Sequence, residues 1–278
     1  MATGRTHRRG RGAAGARQDG FTLIEMAIAT AIFGLLASGA IMATSAWLGK
    51  QALDRTNKNL DRIESALTLY VVQNGRLPCP YDPTAAAGIY VGANCTGAGE
   101  HFVGVLPYRI LGLQRTDVID GWNRYLTYAV DADWTGDPTA APGGPFFSGT
   151  TLQSLSGLAE AAAPAGGSTG ADALLDVRDA ASEGAAEDVC KPAGAPAPTR
   201  TAICAGYVLV SHGEDGDGAL LAFGGGQRGT TAGARAEIEN SDGDDVFAAE
   251  AFTDAPSDTQ FGHILRYRTP AQILRDAL

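Results

Sequence analysis

An α+β fold is what this sequence predicts: one long N-terminal helix, half apolar and half amphipathic, packed on an antiparallel β-sheet head. Three observations carry the prediction. Met26 to Gly49 contains no charged residue, and about 20 apolar residues suffice to cross ~30 Å of bilayer hydrocarbon. Leu53, Leu60 and Leu67 then recur every seven residues, joined by Ile63 and Tyr70, while Asp54, Arg55, Lys58, Asp61, Arg62 and Glu64 cover the other faces. Beyond Asn74-Gly75 and Pro78, which stop the helix, short apolar runs alternate with turn residues as antiparallel strands do.

Ahead of the apolar run stand Arg5, Arg8, Arg9, Arg11 and Arg17, so the positive-inside rule keeps the first residues cytoplasmic and sends the rest outward. The chain thus divides into an arginine-rich start (1–20), a membrane-spanning helix (21–49), an amphipathic continuation (50–75) and a periplasmic head (76–278). Within the apolar helix Gly34 and Gly39 mark places where it loosens or where helices approach closely. In the head the candidate strands are His101 to Leu106, Tyr125 to Val130, Cys204 to Ser211, Ala219 to Phe223 and Phe261 to Arg268. From about 136 to 200 the chain turns to Ala, Gly, Pro, Ser and Thr. That composition reads as a flexible insertion, with helical hints at Leu155 to Ala163 and Ala171 to Ser182. Thr269-Pro-Ala-Gln272 has the form of a capping box with proline at the first helical position, which predicts a closing helix from Thr269 to Leu278.

The junction itself, Gly20-Phe-Thr-Leu-Ile-Glu25, resembles the class III signal of type IV pilins and type II secretion pseudopilins. The resemblance implies cleavage after Gly20 by a membrane prepilin peptidase, which also methylates the new amine of Phe21. It implies a pilin-like head, and a pairing of Glu25 with the Phe21 amine of a neighbouring subunit inside a filament. A lone carboxylate beside hydrocarbon is costly and by default marks a function. Asp120-Gly-Trp-Asn-Arg-Tyr-Leu-Thr-Tyr128 is similar to the pseudopilin stretch in which Asp, a turn residue, Trp and Gly lead into a strand, with Asn123 where that glycine stands. The implied partners are the peptidase, other pilin-like subunits, an inner-membrane assembly platform and, before assembly, lipid. The implied location is the inner membrane, single-pass, and then a periplasmic or cell-surface filament. A minor subunit of type II secretion is the first expectation, and a type IV pilus minor pilin or displayed adhesin the alternative.

Charge excludes one class of partner. The formal charge is -10, and removing five arginines and Asp19 with the leader takes away a net +4, leaving -14; nucleic-acid binding needs the opposite sign. Cys79, Cys95, Cys190 and Cys204 all fall on the expected periplasmic side, where two disulfides are the economical reading. Of the three pairings open to them, Cys79 with Cys95 and Cys190 with Cys204 close local loops. Asp215, Asp217, Asp242 and Asp244 lie on two acidic, glycine-containing loops, a donor set of the kind calcium takes, with solvated turns as the plainer reading. Ser211, His212 and Asp215 list the members of a hydrolytic triad, but adjacent strand residues point to opposite faces. His101 and His263 stand isolated in sequence, and a non-enzyme is expected.

Overall fold

The structure is a computed structural model and describes residues 22–81, 101–135, 175–178, 203–222, 226–229, 235–243, 246–249 and 262–277. The chain divides into two compact units, Met1–Gly49 and Lys50–Leu278. Helix α1 (Leu23–Asn74) begins in the first and ends in the second. It stops where the sequence predicts. Gly75 takes φ 65 and its N–H reaches the Val71 carbonyl at 2.8 Å, the left-handed exit that glycine adopts without steric cost.

In the second unit the buried face of α1 runs through Thr56, Leu60, Ile63, Leu67 and Val71, spacings of three and four that hold one side of a helix against a core. Leu53 and Tyr70, expected in that stripe, are only half-buried. The face packs on a four-stranded antiparallel sheet in the order β1 (His101–Val105), β2 (Thr127–Asp131), β5 (Tyr207–Ser211), β7 (Ile264–Arg268). Tyr128, Val130, Tyr207 and Leu209 join the helix residues in one cluster. Ala129, Val208 and Val210, from the opposite face, join a second cluster with Leu175, Val177 and Phe247. Strands β2 and β5 are therefore buried on both faces, which explains their near-continuous apolar sequence.

The second cluster belongs to a three-stranded sheet in the order β4 (Ile203–Ala205), β3 (Leu175–Arg178), β6 (Val246–Ala248), whose β3–β6 pair is parallel. Two expectations are corrected here. The helical hint over 171–182 gives way to strand β3, in which Leu175 and Val177 face the core while Asp176 and Arg178 form a buried ion pair at 2.5 Å. Alternation with period two outweighed alanine content. The remainder of 136–200, including Leu155 to Ala163, lies outside the described residues. The run Cys204 to Ser211 is two strands, because the chain changes sheets at Gly206, where Ile273 leaves no comfortable room for a Cβ. Ala219 to Phe223 makes only isolated bridges at Leu220 and Leu221, with Phe223 outside the described residues.

A short helix, α2 (Arg235–Glu239), precedes β6, and α3 (Pro270–Ala277) closes the head. The predicted capping box is present. Thr269 N–H donates to Gln272 Oε1 at 2.9 Å, and Gln272 N–H to Thr269 Oγ1 at 3.3 Å.

Candidate processing and assembly site

At the start of α1, Thr22 and Glu25 satisfy one another. Glu25 N–H donates to Thr22 Oγ1 at 3.3 Å, and Thr22 N–H and hydroxyl donate to Glu25 Oε2 at 2.9 and 2.8 Å. Thr22 is thus the N-cap and Glu25 the N3 residue of a capping box, which also sets an acidic group at the positive end of the helix dipole. The signal lies in the sequence as Thr-Leu-Ile-Glu, with the same spacing as Thr269 and Gln272. Glu25 therefore has a partner within its own chain, one residue from the amine that cleavage after Gly20 would create. Gly20 and Phe21 lie outside the described residues.

From Thr22 to Ser38 every side chain is exposed, including Leu23 at 90% and Phe33 at 76%. A helix apolar on all faces is built to be covered by lipid or by other helices. Among the described residues no helix is long and apolar enough to cross a membrane. The side chains of 39–46 lie outside the described residues, so the expected span over 21–49 rests on the sequence count.

In the head, the Asp120-Gly-Trp loop fastens the sheet to α1. Gly121 N–H donates to Thr56 Oγ1 at 2.9 Å, and a Cβ on Gly121 would overlap the Ala52 backbone. Asn59 Nδ2 donates to the Thr116 and Ile119 carbonyls at 3.0 and 2.7 Å. Asp120, fully buried, accepts from the N–H groups of Trp122 and Arg124, both at 2.9 Å, and from Ser211 Oγ at 3.0 Å. Burial still raises its carboxyl above the usual range, against the pull of those hydrogen bonds and Arg124. Asn123 has φ 65 and is the one non-glycine residue of positive φ among those described. It fills the left-handed position that glycine would otherwise hold. Tyr125 and Tyr128 enter the core with α1, and Trp122 stays half-exposed.

The remaining candidates are placed as follows. Ser211 donates to Asp120, and His212 Nε2 meets Thr127 Oγ1 at 2.8 Å, so the two side chains serve different neighbours and form no triad with Asp215. Cys79 and Cys204 each take part in a disulfide, and Cys95 and Cys190 lie outside the described residues. Asp215 and Asp217 sit on the turn after β5, Asp242 follows α2, and Asp244 lies outside the described residues. Asp217 Oδ1 is 3.5 Å from Arg228 Nε. Among the described residues, Asp217 and Asp242 join Asp215 in no group of three ligating side chains.

Comparison with known proteins bears on the first of these places. Residues 15–41 match the family model described as the prokaryotic N-terminal methylation motif, and the chain carries this signature of type IV pilins and pseudopilins. No curated protein and no solved structure matches the chain.

Proposed function

We propose that this chain is a minor pilin-like structural subunit, cleaved after Gly20 by a prepilin peptidase, methylated at Phe21 and packed by its apolar helix into a periplasmic filament. The inner membrane holds it, head outward, until an assembly platform extracts it. The match at residues 15–41 carries this reading, and the uncovered apolar side chains from Leu23 to Leu36 support it. The Asp120 to Tyr128 loop, with Asn123 in the glycine conformation, favours a type II secretion pseudopilin. A cavity of about 610 Å³ on the head, walled in part by Tyr81, Phe102, Gln227 and Phe247, favours the second reading, a type IV minor pilin that displays a binding module.

Intact mass of the protein recovered from membranes tests the processing. Loss of residues 1–20 with one added methyl group is expected, and a retained arginine leader would overturn the reading. Glu25 tests the assembly. Glutamine preserves the capping box but not the charge, so Glu25→Gln and Glu25→Ala should both be cleaved normally and both fail to enter filaments. If Glu25→Gln assembled like the native chain, the cap and not the carboxylate charge would be what assembly needs.

A further inference from the structure

Within the head, three distant stretches bring ligating side chains to one place: Asp215 on the turn after β5, Glu237 on α2, and His263 just before β7. We propose that Asp215, Glu237 and His263 bind one first-row divalent cation of the zinc type.

One carboxylate oxygen from each acid and one imidazole nitrogen all lie within 4.8 Å of one another. Glu237 and His263 are buried, at 4% and 1% exposure, and Asp215 is half-buried. Solvated acidic turns look different. Gly262 N–H donates to Glu237 Oε1 at 2.7 Å, Gly216 N–H donates to Asp215 Oδ1 at 2.6 Å, and a Cβ on Gly262 would stand 3.4 Å from both Asp215 Oδ1 and Glu237 Oε1. Gly213, at φ 62, lies so close to the Gly262 carbonyl that any side chain there would overlap it. The glycines thus let two backbone segments meet beneath the donors and hold the acids in place. The His212 ring packs edge to face on His263, with centroids 4.7 Å apart, and limits how far the imidazole can turn.

Charge and donor type decide what the place takes. The Asp215 and Glu237 carboxylates face one another within 4.8 Å in a largely buried place; a cation turns their mutual repulsion into attraction. His263 is buried beside both acids, and a neutral imidazole is the form that ligates metals. Calcium takes oxygen ligands, whereas imidazole beside carboxylates suits zinc and its first-row neighbours. Bonds of about 2.0–2.1 Å in a tetrahedral shell set donors about 3.3 Å apart. Asp215, the least buried of the three, is the ligand that would move to close the shell, giving up its hydrogen bond from Gly216, and water would take the fourth position. The ion would tie α2 to the adjoining ends of β5 and β7, whose pairing reaches Ser211 and Ile264.

The test uses the full chain, without a polyhistidine tag, in detergent. The protein is stripped with a chelator and then titrated separately with zinc, manganese and calcium chlorides, with bound metal measured by elemental analysis and the melting temperature recorded. One equivalent of zinc is expected, with a raised melting temperature. Asp215→Asn and Glu237→Gln should each weaken zinc binding at least tenfold. Because Glu237 also holds Gly262, the near-UV circular dichroism of the stripped variants decides which are folded, and Asp215→Asn alone suffices if the other is not. Failure to retain zinc, equal retention by the folded variants, or retention of calcium in preference to zinc would each overturn the assignment.

Discussion

At Gly121 one added methyl group would strike the Ala52 backbone, so Gly121→Ala must push the loop from α1 or break the hydrogen bond to Thr56. A loss of about 2 kcal/mol or more is expected, read as a lowered denaturation midpoint. Two residues on, Asn123→Gly should leave stability unchanged or slightly raised, whereas Asn123→Ala should cost about 1–2 kcal/mol for the left-handed conformation. Equal effects of glycine and alanine at 123 would show that its backbone is not held at φ 65. Much of this was legible. Asp120-Gly-Trp announced a turn, and only the conformation of Asn123 shows that asparagine takes over the role of the missing glycine. Thr22 with Glu25 is equally legible as a capping box, a local role that the cost of a lone carboxylate beside hydrocarbon obscures.

Among the elements, α1 shows what an apolar repeat leaves out. Leucine spacing found the packing face, but Thr56, Asn59 and Glu64 on that face are buried too, each through a partner more than fifty residues away. Long-range partners leave no trace in a local pattern, which is also why Glu237 was missed and His263 read as isolated. Glu64 yields a pH test. Arg268 Nη2 donates to its Oε2 at 3.0 Å, while Oε1 is buried without a hydrogen bond, and burial, with Asp61 and Asp276 adding to it, raises its carboxyl above the usual range against the pull of Arg268 and Arg266. A carboxyl raised in the folded state binds protons more readily there than in the unfolded chain, so it costs stability above its folded pKa and ceases to do so as pH falls below the unfolded value. Glu64→Gln imitates the protonated form at every pH. The variant should melt higher than the native chain at pH 7, and the two curves should converge by about pH 4; a constant gap across that range would refute the account.

For the whole molecule, the core cluster under α1 takes its helix residues from Leu60 onward, and none of the buried side chains named in the head precedes Thr56. The two compact units part at Gly49. That division falls at the first charge after the apolar run, Lys50, and charge contrast is visible without knowing any contact. The sandwich of two sheets was hidden, since its second layer recruits β3 from a stretch whose composition reads as a linker. A fragment beginning at Lys50 should therefore fold alone, with a cooperative melt within a few degrees of the full chain's. A fragment beginning at Arg76 should not. It lacks Leu60, Ile63, Leu67 and Val71, all at most 1% exposed, and at roughly 1.5–3 kcal/mol each their burial sums to about 6–12 kcal/mol, on the order of a domain's entire net stability. Circular dichroism melts of the two fragments decide the matter: a cooperative transition in the shorter one would mean that the sheets alone make the head, and that the amphipathic half of α1 only decorates it.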